Sequence, residues 1–577
     1  MNQTRTFLIF AWLMVAALLW MAWGQEQSSQ RAPTAQPATN QPATPAGDGV
    51  PAAPAPGAVP TAPAAVPNAP TVATSAAPAA SQAVTVTTDL LRVVLDGGRV
   101  HSADLLRYPQ TTDARSPPVR LFDDAGARYY AAESGWVSGA NPAPSHAGGF
   151  VPEAPGRAYA TSREARQVEV PFVWTGPDGV SIRRVYTFDR DSYAITVRDE
   201  VRNAGAKPWQ GHVYRQLTRV PPVVKSGFTH PESYSFHGAA WYSRGDKLEK
   251  RKFDKFAGDP ISDDPQGKAV TGGWVAMLQH HFFGAWIPAE QDASRFSLAT
   301  TPSADGTRYV VRELGPAVAV APGATATTSA RLWVGPKLVG GIAAQKVPGL
   351  ERAVDFSSYG WLAWIAELLF SVLSWLHGIF GNWGWAIVGL VLIVKALLFP
   401  LSAAQYKSAA KMRKFQPRVA QLKERYGEDK QKFQMALMEL YKKEKINPVG
   451  GCLPVLLQMP IFLALYWTLL EAVELRHAPW IGWIQNLTAP DPFFILPVVN
   501  IAVMWLTQKL TPMVGMDPMQ QRMMQLMPLV FGVMMIFFPA GLVLYWVTNG
   551  SLGLLQQWYM LRKYGDKPAP AATVAKG

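Results

Sequence analysis

Lys395 is the one cation inside the apolar run from Trp385 to Leu401. At bilayer depth an unpaired cation costs roughly 2.5–3.5 kcal/mol on insertion scales. A chain keeps such a residue where it meets water, a partner or a substrate. Other apolar runs carry Gln458, Asn500, Gln508, Thr548 and Asn549. Methionine is concentrated in the same region: 14 of the 18 follow residue 355, Met459, Met523, Met524, Met527, Met534 and Met535 among them. Flexible, polarizable methionine surfaces accept varied apolar partners. These residues suggest a wet, adaptable cavity that binds a guest, not a centre that makes or breaks bonds.

Two local remedies for Lys395 are inadequate. About ten residues separate it from Gln405, roughly 15 Å of helix and more than the side chain can span by snorkelling. Pro400 lacks the N–H that the Ala396 carbonyl would normally receive, leaving that carbonyl as a nearby acceptor. Glu471 and Glu474 fall at the opposite end of their run, so no deep acid pairs with the lysine. The chain has no nucleotide-binding lysine loop, HExxH, GxSxG or paired intramembrane acids, and no enzyme activity or cofactor is expected. Repeated halves with broken helices, a sign of transporters, are not seen. A channel or transporter using Lys395 as an anion site is the alternative reading.

The elements that must hold such a cavity can be read along the 577 residues. Phe7 to Trp23 is apolar and short for a span, and reads as an uncleaved anchor within residues 1–24. Residues 25–83 are Pro, Ala, Gln, Thr and Ser with almost no large apolar residue, a disordered tether. From 84 to 347, short alternating runs between Gly, Pro, Asp and Asn predict a large antiparallel β-sandwich. Val84 to Leu95, followed by Asp96-Gly97, reads as strand and turn. Ile182–Phe188 and Tyr193–Val201 flank Asp189–Ser192 as a hairpin. His230, His280, His281, Asp263 and Asp264 show no metal or triad spacing and read as scattered surface groups. A sugar- or peptide-binding cleft is the minor reading of this domain.

Within 356–380, Glu367, Ser371, Ser374 and Gly378 recur at intervals of 4, 3 and 4, one stripe of an amphipathic interfacial helix. Trp361, Trp364 and Trp375 would anchor it. Five spans follow, near 383–402, 453–472, 492–510, 522–538 and 540–560, six with the anchor. This gives an α-helical polytopic membrane protein with both termini inside and the β domain outside. The inner segments then hold the Lys/Arg excess, as the positive-inside rule requires. Net charge is +13 and pI about 9.6. The single cysteine, Cys452, excludes a disulfide framework and the zinc-finger, redox and thiol-protease classes.

The inner loop 403–447 carries twelve basic residues against five acids. Lys407, Lys411, Arg413, Lys414, Arg418, Lys423 and Arg425 crowd its first arm. Met412, Phe415, Val419, Leu422 and Tyr426 form a coiled-coil seam; after Gly427, Phe433, Leu437 and Leu440 repeat it, so the loop folds back as a hairpin. Beyond orienting the chain, its basic surface could touch ribosomal RNA, acidic proteins or anionic lipids.

Several motifs carry a resemblance. They are Gly381–Gly384, Asn447-Pro-Val-Gly-Gly-Cys-Leu-Pro-Val-Leu-Leu-Gln-Met-Pro-Ile-Phe462, Asp517-Pro-Met-Gln-Gln521 and Phe538-Pro-Ala-Gly-Leu-Val-Leu-Tyr-Trp546. Together with the element order, they closely resemble the YidC membrane protein insertases of Gram-negative bacteria, within the YidC/Oxa/Alb family. The resemblance covers residues 355–562 by motif and the β domain by position and size. It implies an inner-membrane insertase core over 381–562 with a cytoplasmic tail from 563 to 577. Implied partners are nascent membrane proteins, the Sec translocon (SecYEG and SecDF), the ribosome, the signal recognition particle receptor and anionic lipids.

The resemblance further implies a hydrophilic groove at Lys395, Phe399, Gln458 and Trp546. It also implies an apolar slide at Met459, Phe462, Tyr466, Pro528 and Phe531 on the third and fifth spans. The family's commoner groove residue is arginine. Lysine keeps the charge and loses the bidentate fork and the fixed protonation.

Overall fold

The computed structural model describes residues 83–564, apart from 114, 140, 155, 225–234, 246, 257–267, 355, 357–359, 404–415, 427–428, 444–452 and 511–517. The anchor, the tether and the tail after 564 lie outside the described residues. So do Lys407, Lys411, Arg413, Lys414, His230, Asp263 and Asp264.

Alternating burial builds a two-sheet sandwich. Among the described residues one sheet has ten strands and the other nine. Val84 to Leu95 makes two strands in place of one: Val84–Thr87 folds back on Leu91–Leu95, with Val84 opposite Leu95. Thr88 causes the reversal, since its hydroxyl accepts from the Leu90 and Leu91 N–H groups at 3.2 and 2.9 Å. A threonine turning the chain through its own backbone bonds is hard to separate from a strand threonine by pattern. The hairpin of Val180–Asp189 with Ala194–Asn203 pairs Phe188 with Ile195.

The two sheets are joined by a buried ion pair. Arg184 donates to Asp199 at 2.7 and 2.6 Å from the nine-stranded sheet. It reaches the other sheet through the Ser134 carbonyl at 2.9 Å, and Trp136 Nε1 donates to Asp199 at 2.7 Å. Every buried charge here meets an opposite charge or a hydrogen bond, the condition for tolerating ions in a core.

The chain then turns helical: α1 Val339–Ala343, α2 Gly360–Phe380, α3 Trp383–Leu397, α4 Gln416–Tyr426, α5 Lys430–Lys443, α6 Leu453–Glu471, α7 Ile495–Leu510, α8 Pro518–Met535 and α9 Ala540–Tyr564. Helix α2 packs on α3 and α6, α9 packs on α3 and α7, and α8 packs on α7. Helices α4 and α5 pair through Val419, Leu437 and Tyr441.

Five helices stand where the five spans are expected, but length and apolarity single out another. Among the described residues α2 alone is long and apolar enough to cross a membrane, while α3 and α7 are shorter apolar helices. The count of six spans is therefore not carried by these criteria. Helix α2 has three faces. Leu362, Ala366, Leu369 and Leu373 are buried, the Glu367–Ser371–Gly378 stripe is exposed, and Trp361, Trp364, Leu368 and Trp375 form an exposed ridge beside it.

Candidate functional site

Helix α3 begins at Asn382, whose side chain accepts from the Trp385 N–H at 3.1 Å and donates to the Trp480 carbonyl at 3.0 Å. Gly384 lies against the same loop: a Cβ there would sit 2.1 Å from the Trp480 ring. The Gly381–Gly384 motif thus docks the helix start on the loop after α6. At the other end Leu398 leaves helical geometry, with φ −89° and ψ 4°, two residues before Pro400, which has no N–H to continue the helical ladder. The Leu398 N–H closes the helix on the Val394 carbonyl at 3.0 Å.

Lys395 therefore stands in the last turn of α3, half-buried. Among the described residues no carboxylate or hydrogen-bond partner meets its ammonium. The helix C-terminus favours a cation by about 0.3–1 kcal/mol at exposed sites. That is short of the roughly 2.5–3.5 kcal/mol that membrane depth costs.

Two of the five candidate slide residues, Phe462 and Phe531, meet through one ring. Trp546 on α9 contacts Phe462 of α6 edge-on at 5.0 Å and Phe531 of α8 at 6.4 Å. Tyr466 packs on Trp467 at 5.4 Å and Phe538 at 6.3 Å. Gln458 donates to the Tyr545 hydroxyl at 2.5 Å. Met459 and Phe399 are exposed, whereas Pro528 is buried. Helices α6 and α8 do not pack on each other as elements among the described residues. Trp546 of α9 thus bridges α6 and α8 through its ring. Of the basic hairpin, Arg418, Lys423 and Arg425 are exposed.

A second polar cluster joins the sandwich to the C-terminal end of α6. Glu471 is buried, accepts from Ser235 at 2.7 Å and faces Lys337 at 3.6 Å. His280 and His281 stack at 3.7 Å, and each places Nε2 on the Leu470 carbonyl, at 2.9 and 3.2 Å. The Val339 N–H donates to Glu474 at 3.1 Å, and Arg476 holds the Pro109 carbonyl at 2.8 Å. His281 is thus buried, and His280 half-buried, in place of the surface groups expected. Burial first, then the neighbouring His280, holds His281 well below the ordinary histidine range. Burial raises Glu474 above the usual carboxylate range. Spacing alone could not reveal this cluster, because its members come from residues 235, 280–281, 337–339 and 470–476. The legible hint was Glu471, an acid at the end of an apolar run.

Comparison with known proteins divides the chain within α2. A family model described as YidC periplasmic domain matches residues 83–372, and one described as 60Kd inner membrane protein matches 375–567. The class is therefore an inner-membrane protein with a periplasmic domain. The membrane protein insertase YidC of Xanthomonas campestris pv. campestris (strain B100) is 57% identical over 581 residues, covering 99% of each chain. That of Stenotrophomonas maltophilia (strain R551-3) is 56% identical over 576 residues, again covering 99% of each. Among solved structures, the active YidC insertase with its first transmembrane domain resolved is 19% identical. It aligns with 83% of this chain and 93% of its own at a TM-score of 0.37. The chain belongs to the YidC family of membrane protein insertases.

Proposed function

We propose that this protein inserts nascent membrane proteins into the inner membrane and helps them fold, without covalent chemistry or nucleotide hydrolysis. Residues 381–562 are the insertase core, 84–347 the periplasmic domain, and both termini face the cytoplasm. A short polar segment of the substrate enters beside Lys395, which lowers the cost of its passage. The adjoining apolar segment rests on Met459, Phe462, Tyr466 and Phe531 and then partitions into lipid. The hairpin at Arg418, Lys423 and Arg425 meets the ribosome, the signal recognition particle receptor or anionic lipid, and some substrates are shared with the Sec translocon.

The observation that supports this reading most is a half-buried lysine with no acid among the described residues, on a helix packed against α9. Its physics fits a visiting group better than a permanent pair. Depleting the protein and following a small single-span substrate by protease protection tests it. Loss of insertion is expected, and undiminished insertion would overturn the proposal.

A further inference from the structure

The periplasmic sandwich holds a cavity of about 300 Å³, at the lower end of small-molecule sites. Its floor is a row across the nine-stranded sheet, where Arg331 lies opposite Thr196 on one side and Ile287 on the other. One wall is the chain that follows α1, Lys346 to Pro348. Next to it Gly349, with a left-handed backbone (φ +74°), packs so close to the Tyr242 ring that a Cβ there would sit 2.2 Å from it.

The charges in this cavity do not cancel. The lining has three cations, Arg244, Arg331 and Lys346, and one acid, Glu290. Glu290 is already paired with Arg244 at the exposed rim. Arg331 spends Nη1 on the Gln345 carbonyl at 3.0 Å and the Gln345 side chain at 3.3 Å. Among the described residues its Nε and Nη2 have no partner. Lys346 is held at φ 51°, a left-handed conformation that ordinarily selects glycine after a helix and costs a residue with a side chain roughly 1–2 kcal/mol. Backbone strain of this kind clusters where a side chain must be placed for binding.

We infer that this cavity binds a phosphate-type oxyanion carried on a small organic body. The free edge of the Arg331 guanidinium would grip two oxygens, the bidentate geometry that arginine offers phosphate. Lys346 adds a point charge, the Thr196 and Ser329 hydroxyls can donate to the remaining oxygens, and Tyr242 and Ile287 wall the organic part. A phospholipid headgroup and a soluble phosphate ester share this chemistry.

The test uses the full chain in phosphatidylcholine nanodiscs, titrated calorimetrically with glycerol phosphate, alongside the same chain in phosphatidylglycerol nanodiscs. Saturable binding is expected in phosphatidylcholine, roughly 10- to 100-fold weaker in Arg331→Gln and partly kept in Arg331→Lys. If phosphatidylglycerol abolishes the titration, the site takes lipid headgroups. If the titration persists, the site takes a soluble ester. Either result supports an oxyanion site. The inference is overturned if no saturable binding occurs and phosphatidylglycerol gives residues 329–331 and 345–348 no hydrogen-exchange protection. It is also overturned if Arg331→Gln, with an unchanged unfolding midpoint, binds as the wild type does.

Discussion

Lys395 and Glu471 are both ions in apolar helices, and they solve the problem differently. Glu471 is buried against Lys337 at 3.6 Å and accepts from Ser235, a permanent arrangement. Removing one member of such a pair leaves a buried charge and typically costs about 3–5 kcal/mol. Lys337→Met should therefore lower the unfolding midpoint markedly, while Lys337→Met with Glu471→Leu should recover most of the loss; equal midpoints for the two variants would contradict this. Lys395 has no such partner among the described residues, so its replacement should leave the midpoint nearly unchanged and alter insertion instead. His281 adds a pH dependence. Its folded pKa is depressed, so its contribution is complete above the unfolded value of about 6.5 and is lost as pH falls below it. His237, pushed down to about 4 mainly by burial, acts in the same direction, and the raised Glu474 offsets part of it. Unfolding midpoints should fall between pH 7 and 5, with a shallower slope in His281→Gln; a flat wild-type profile would refute this reading.

At the scale of elements, legibility followed periodicity. The helical stripe in 356–380 and the hairpin around Asp189–Ser192 were readable because one period governs each. Val84 to Leu95 misled because its turn is made by a threonine hydroxyl inside an unbroken β-like pattern. The Arg184–Asp199 tie and the His280–His281 cluster were not readable, since their partners come from distant strands and loops. Lys395 was legible as an anomaly, though not its place in the last turn before the break at Leu398. Close approach between elements was likewise hidden in plain glycines. With Gly384 against the Trp480 ring, Gly384→Ala should loosen α3 from its docking loop and cost about 1–3 kcal/mol, as overpacking does. Comparing its thermal midpoint with that of Gly378→Ala, where open space surrounds the glycine, checks this; equal midpoints would contradict the close packing.

At the scale of the molecule, the sandwich and the helices are joined through named bonds, which changes how the β domain should be removed. Deleting residues 84–345 takes away Lys337, Ser235, His280 and His281 together, leaving Glu471 and the Leu470 carbonyl without them. The deletion combined with Glu471→Leu should yield a better-folded core than the deletion alone, as measured by monodisperse yield in detergent. Insertion that survives in this variant would mark the β domain as accessory. The central claim is that a groove cation guides a polar segment past the membrane barrier. The most direct measurement places the purified chain as the only protein in liposomes and follows a small substrate with an acidic translocated segment by protease protection. Insertion should exceed that of protein-free liposomes, be retained in Lys395→Arg, and fall about tenfold in Lys395→Glu, a coupling of about 1.4 kcal/mol. Equal insertion by Lys395→Glu and the wild type would contradict the account.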